Sequence, residues 1–289
     1  MKILLLGANG QVGWELQRSL APMGDVHAWD HAEADLSTEA FLQPLGQLAP
    51  QLIVNAAAHT AVDKAESEPA LAEAINATAP ALLARWAAQA GVPLLHYSTD
   101  YVFDGSGEHA RSEEAATGPL SVYGRTKLAG EDAIRASGCR HLILRTSWVY
   151  AARGNNFAKT MLRLAKDRAS LRVVADQIGA PTGAELLADA SSHALRALMA
   201  QASLSGTYHL CAAGTTHWAD YARLVIDTAK SKGQTLACEE VLGIASSDYP
   251  TPARRPLNSR LDCRRFEASF GLQLPNWQAG VRRMLEEIL

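Results

Sequence analysis

A chain of 289 residues, 48% hydrophobic and 20% charged, has an ordinary globular composition and suits one large α/β domain or two modest ones. Its net charge of −3 argues against a nucleic-acid partner or a polybasic membrane surface. Cys139, Cys211, Cys238 and Cys263 are irregularly spaced, with no CxxC or Cys/His cluster, and no signal peptide or apolar run of membrane-helix length is present; the reading is a cytoplasmic protein with reduced thiols.

Lys2-Ile3-Leu4-Leu5-Leu6 is a nearly continuous apolar run, as a parallel strand covered on both faces requires. It feeds Gly7-Ala8-Asn9-Gly10-Gln11-Val12-Gly13, and a helix is expected over 11–20. Glycines at 7, 10 and 13 permit a tight turn, close approach of backbone to a pyrophosphate, and close helix–strand packing, with the helix N-terminus facing the anion. The spacing is GxxGxxG rather than the usual GxGxxG, with the same mechanics. A second strand over 25–30 ends in Asp30, about twenty residues after the glycines, where a carboxylate binds an adenosine ribose. That favours NADH, since a carboxylate repels a 2′-phosphate, without excluding NADPH. Asp35-Leu36 lies where the next turn meets an adenine; equally, Asp35 caps a helix over 37–48.

Residues 51–55 form the third strand, and Ala56-Ala57-Ala58-His59-Thr60 leaves its carboxyl end, the edge where α/β sheets bind ligands. Small side chains there let a cofactor lie close. His59 reads as a packing or hydrogen-bonding histidine before a proton relay. A helical stretch then runs from Glu68-Pro69 to Ala90, closed by Gly91 and kinked or broken at Pro80, with Asn76 inside it to bond loop backbone. The fourth strand, 92–97, delivers Ser98-Thr99-Asp100 to the same edge. Residues 101–120 read mainly as a loop over the site, a helix runs from Tyr123 to about 136, and the fifth strand spans 140–146. Alternating strands and helices specify an α/β fold with a doubly wound parallel sheet.

Tyr123 and Lys127, four residues apart, share one helix face, so an ammonium can support an ionised phenol. That pair makes a proton donor. A hydroxyl from Ser98 or Thr99 can hold a carbonyl oxygen between itself and the tyrosine.

Together Gly7-x-x-Gly10-x-x-Gly13, Asn55-Ala56-Ala57-Ala58, Ser98-Thr99-Asp100-Tyr101-Val102-Phe103, Tyr123-x-x-x-Lys127 and Arg145-Thr146-Ser147-Trp148-Val149-Tyr150 resemble the extended short-chain dehydrogenase/reductases. More narrowly the chain is similar to the dTDP-4-dehydrorhamnose reductases, which make dTDP-L-rhamnose. The similarity takes in residues 59–66, Asn155-Asn156-Phe157, Gly179-Ala180-Pro181-Thr182-Gly183 and Tyr249-Pro250-Thr251-Pro252-Ala253-Arg254-Arg255-Pro256. It implies a Rossmann dinucleotide-binding domain over 1–150. Residues 151–289 are then mainly a smaller, mixed α/β region for the sugar nucleotide, with some chain returning to the Rossmann domain.

The resemblance also implies roles. Tyr123 gives a proton to the C4 carbonyl oxygen as NADH or NADPH gives hydride; Lys127 bonds the nicotinamide ribose and lowers the tyrosine pKa; Thr99 polarises the carbonyl. Gly10, Gln11 and Val12 contact the pyrophosphate, and Asp30, Asp35, Leu36, Ala58, His59, Thr60 and Tyr97 line the cofactor. Asp100, Trp148 and Asn156 fall to the dTDP-sugar side. Arg254 and Arg255 are read either as a phosphate clamp, which a guanidinium fork suits, or as a solvated pair. Some members form homodimers across Mg2+, and Glu15, Glu185 and Asp189 match those acids; such a metal is structural.

In the second half a helix over 156–167, a strand over 171–174, a loop over 177–183 and amphipathic helices over 218–232 and 277–288 are expected. Two other functions fit the superfamily. A sugar-nucleotide epimerase or dehydratase is one, although Tyr101 stands where a dehydratase needs a second acid. A non-catalytic regulatory subunit is the other, against which Thr99, Tyr123 and Lys127 all stand.

Overall fold

The computed structural model describes all 289 residues, Met1–Leu289. The first half supplies strands β1 (Lys2–Leu6), β2 (Asp25–Trp29), β3 (Leu52–Asn55), β4 (Leu94–Thr99) and β5 (His141–Thr146). Helices α1 (Gln11–Leu20), α2 (Leu42–Leu48), α3 (Val62–Ser67), α4 (Pro69–Glu73), α5 (Ala79–Ala90) and α6 (Val122–Ala136) connect them. The second half runs β6 (Val149–Tyr150), α7 (Phe157–Asp167), β7 (Ser170–Val174), β8 (Ile178–Gly179), β9 (Thr182–Gly183), α8 (Ala184–Ala200) and β10 (Gly206–His209). It ends with β11 (Thr216–His217), α9 (Trp218–Ser231), β12 (Glu240–Ile244), α10 (Arg264–Phe270) and α11 (Trp277–Ile288).

One six-stranded sheet, in the order β10-β5-β4-β3-β1-β2, is parallel at every pair. Alternate residues of β1 show why it is covered on both faces. Ile3 and Leu5 pack with Leu16 and Leu20 of α1 and Leu187 and Leu195 of α8, while Leu4 and Leu6 pack with Leu45 of α2, Leu83 of α5 and Ile134 of α6. The strand order reverses at β1, whose neighbours are β2 and β3, and that crevice is where such a sheet takes a ligand. A separate apolar cluster in the second half joins Met161, Leu162, Tyr221, Val225, Trp277, Val281 and Met284, beside the short pairs β7–β12, β6–β9 and β8–β11. No helix is long and apolar enough to cross a membrane, and all four cysteines are free thiols.

One helical stretch breaks at Pro80 as expected, and one helix starts later than expected. The stretch before Gly91 is three segments: α4, a π-helical turn over Ala74–Thr78, and α5. Pro80 has no N–H to give, and the wider turn just ahead of it absorbs the mismatch. The turn carries Asn76, fully buried, whose amide reaches the loop backbone at His59 from both ends: Oδ1 accepts from His59 N at 2.9 Å and Nδ2 donates to His59 O at 3.1 Å. The helix expected from 37 begins only at Glu39, as a 3-10 turn capped by Thr38.

Candidate active site

The carboxyl ends of the strands open on a cleft of about 680 Å3. Its floor is the glycine turn. Gly7 has φ +83°, and a Cβ there would stand 2.7 Å from Ala57 N, so the loop after β1 runs against the loop after β3. Gly10 caps α1 without a side-chain oxygen, and Gly10, Gln11 and Val12 all line the cleft, which leaves the first-turn N–H groups of α1 to an anion. Gly13 lies beneath the turn instead, where a Cβ would collide with the Gly7 carbonyl. A dinucleotide pyrophosphate fits this cradle.

Asp30 lines the same cleft at the end of β2. The Ala32 N–H, at 2.8 Å from Oδ1, contributes most to holding its carboxyl below the ordinary range, and Asn9 Nδ2 adds a bond of 2.6 Å. Leu36, Ala58, Thr60 and Tyr97 also face the cleft. Asp35 and His59 do not. Asp35 Oδ1 accepts the Ser37 N–H at 2.9 Å, and His59 turns its ring to Glu68 at 3.4 Å, so both do local structural work.

Tyr123, Lys127, Thr99 and Asp100 meet on the opposite wall. Ser121 starts α6 by accepting the Gly124 N–H, and Gly124 lets the helix press against the Tyr101 carbonyl, which sets Tyr123 over the cleft. The two candidate hydroxyls separate cleanly. Ser98 Oγ donates to Glu131 Oε1 at 2.5 Å, whereas Thr99 Oγ1 accepts the Tyr101 N–H at 3.2 Å and donates to Asp100 Oδ1 at 3.1 Å. Burial raises the Tyr123 phenol to about 12; the Thr99 hydroxyl lowers it and the Asp100 charge raises it. Asp100, 2% exposed, is pushed up to about 6 by burial, and its Oδ2 has no partner in the protein. Lys127 Nζ lies 2.6 Å from Tyr97 O and 3.1 Å from His96 Nε2. Below it, Glu131 takes Arg145 bidentately, at 2.9 and 2.6 Å, with Arg135 at 3.0 Å.

Trp148 and Arg255 complete the cleft. Trp148 is one of two non-glycine residues with positive φ, at +50°, and its indole stacks 3.6 Å from Trp218. Arg255 is held by Asp63 at 2.7 Å, but Arg254 is exposed and outside. Asn156 is outside too: it caps α7 and donates to Gln11 Oε1 at 3.1 Å, bracing the glycine turn from behind. Glu15, Glu185 and Asp189 gather in a different recess, where Arg18 bonds Asp189 at 2.8 Å and approaches Glu15 at 3.6 Å. One chain by itself has no group of three His, Cys, Asp or Glu placed to hold a metal ion, and the resemblance assigned these acids to a metal shared between two chains. Sequence reasoning missed Trp218, Asp63 and His96; only His96 left a trace, as a polar residue inside an apolar parallel strand.

Comparison with known proteins agrees from end to end. The family model described as the RmlD substrate binding domain matches residues 1–289. The dTDP-4-dehydrorhamnose reductase of Escherichia coli (strain K12) is 54% identical, covering 100% of this chain and 98% of that protein. A Clostridium acetobutylicum dTDP-4-dehydrorhamnose reductase structure superposes with a TM-score of 0.91 at 34% identity, covering 100% and 99% of the two chains. One from Bacillus anthracis, solved in complex with NADP, gives 0.89 at 34% identity and 99% of each. The chain therefore belongs to the RmlD substrate-binding-domain family, that of the dTDP-4-dehydrorhamnose reductases.

Proposed function

We propose that the protein reduces the C4 carbonyl of dTDP-4-dehydro-L-rhamnose to give dTDP-L-rhamnose, using NADH or NADPH. One observation carries the reading. The glycine cradle at the β1/β3 crevice and the Thr99–Tyr123–Lys127 group face each other across a single cleft. A reduced nicotinamide bound there supplies hydride to C4. Tyr123 donates its phenolic proton to the C4 oxygen, Thr99 holds that oxygen by its hydroxyl, and Lys127 stabilises the phenolate left behind. The unpartnered Oδ2 of Asp100 accepts a sugar hydroxyl, the Trp148–Trp218 stack walls the apolar face of the deoxysugar, and Arg255, aimed by Asp63, meets the diphosphate.

Loss of reduced-nicotinamide absorbance on adding dTDP-4-dehydro-L-rhamnose, with dTDP-L-rhamnose formed in equal amount, tests the reaction. Tyr123→Phe is expected to cut turnover by about 10²-fold or more while keeping sugar-nucleotide binding. Near-normal turnover in that variant removes Tyr123 from the chemistry.

The finer reading includes a cytoplasmic homodimer joined through the acid recess. Burial raises the Glu185 carboxyl, and Glu287, Glu15 and Asp189 add to the rise while Arg283 opposes it, a balance that an added cation relieves. Sedimentation with magnesium and then with chelator tests it; a monomer under both conditions ends it.

A further inference from the structure

His96 is fully buried and does not line the cleft, so its hydrogen-bond partners must come from the protein, and Lys127, 2% exposed, is one of them. The network admits one assignment. Asn55 Oδ1 accepts the Ala57 N–H at 3.1 Å, which leaves Nδ2, a donor, facing His96 Nδ1 at 3.1 Å. Turning the amide over would set its NH2 against the Ala57 N–H, donor to donor. Nδ1 of His96 is therefore the acceptor, and a neutral imidazole with its lone pair there carries its hydrogen on Nε2. That N–H points at Lys127 Nζ, 3.1 Å away. An ammonium has three donors and no acceptor, so it meets Nε2–H as donor against donor. A neutral amine satisfies both contacts, its lone pair taking the Nε2–H and its own N–H reaching Tyr97 O at 2.6 Å.

We propose that His96, fixed by Asn55 as the Nε2–H tautomer, is a positioning residue that opposes the ammonium form of Lys127. The inference rests on the reductase reading for its catalytic consequence and on geometry alone for the tautomer. The surroundings agree. Burial first lowers Lys127, to about 8, with the Glu131 charge one turn along α6 opposing. Glu131 is itself bound by Arg145 of β5 and by Arg135, Tyr123 one turn back is an uncharged phenol, and Asp100 faces Tyr123 from the loop after β4. Burial and the nearby Lys127 both keep His96 neutral. The loop whose Ala57 N–H orients Asn55 lines the cofactor cradle, so the lysine is tied through two side chains to the backbone that the dinucleotide touches.

The first test is nitrogen NMR of protein labelled at histidine, with the His96 signal identified by its loss in His96→Gln or, should that variant not fold, by selective labelling of the wild type. The Nε2–H tautomer is expected, and an Nδ1–H tautomer or an imidazolium at neutral pH overturns the proposal. The second is the pH profile of kcat/KM. Loss of the Lys127 proton leaves the phenolate unsupported, so the ammonium is the active form and its titration sets an alkaline limb. In His96→Gln the amide oxygen accepts from that ammonium, so the limb moves up by about one to two pH units. Packing damage alone lowers kcat at every pH and leaves the limb in place; an unmoved limb in an active variant overturns the proposal. If no reduced nicotinamide is oxidised by wild type, the reductase reading fails while the tautomer remains measurable.

Discussion

Replacing Arg145 by leucine leaves Glu131 fully buried beneath the active site with its principal partner gone. In the native protein burial pushes the Glu131 carboxyl up, and Arg145, Ser98 and Arg135 together outweigh it and hold the group below the ordinary glutamate value. Arg145 is 3% exposed at its side chain and Glu131 0%, so solvent screens little of the loss. Breaking a buried pair on one side costs about 3–5 kcal/mol. Arg135 remains at 3.0 Å but is 36% exposed, so the lower end, about 3 kcal/mol, is expected, or roughly two orders of magnitude in the folded-to-unfolded ratio. The pH dependence should change sign. A carboxyl depressed in the folded state stabilises above its unfolded pKa and loses that contribution as acid reaches the folded value; one raised by burial costs stability as pH climbs through the ordinary glutamate range. Urea unfolding at pH 7 and pH 5 should therefore show the Arg145→Leu deficit shrinking at the lower pH. Adding Glu131→Leu should restore most of the loss. A deficit below about 1 kcal/mol, or a double variant no better than the single, would refute the reasoning.

Gly13→Ala drives a methyl group into the Gly7 carbonyl, 2.7 Å from its carbon, and should lower dinucleotide affinity at least about tenfold by fluorescence titration; unchanged affinity means α1 can retreat freely. Gly179→Ala places Cβ 2.8 Å from Trp148 Cε2, so KM for the sugar nucleotide should rise about tenfold with cofactor KM unmoved, and a rise in both would show damage beyond the tryptophan. Asp30→Ala should shift the NADH-to-NADPH ratio of kcat/KM about tenfold toward NADPH, the scale of one charged hydrogen bond, and a constant ratio would move selectivity to another group.

What could be read from the sequence was local. The glycine turn, the Tyr123–Lys127 spacing and the apolar strands each announce themselves within a few residues, because turn chemistry and helical period act over that range. The residues by themselves left Ser98 and Thr99 open and only the family resemblance chose Thr99, since the choice depends on Glu131 taking one hydroxyl from thirty-three positions along the chain. Trp218 and Asp63 were hidden for the same reason, one stacking on Trp148 and the other holding Arg255 across the fold. The acids at 15, 185 and 189 do share a recess because α1 packs on α8, with Ser19 Oγ donating to Ala188 O at 3.0 Å. What their numbers concealed was Arg18 standing among them.

The sixth strand of the sheet comes late. β10 pairs with β5 through Gly206–Leu142 to His209–Arg145, and it reaches that edge only after α7 and α8 have been made. While the chain emerges from a ribosome, β5 must wait as an open edge, its Leu142 and Leu144 facing a core that Leu187, Leu195 and Tyr208 have yet to close. A nascent chain halted near residue 150 is thus an invitation to intermolecular strand pairing, and a chaperone that shields that edge protects the protein over the interval when it most needs it.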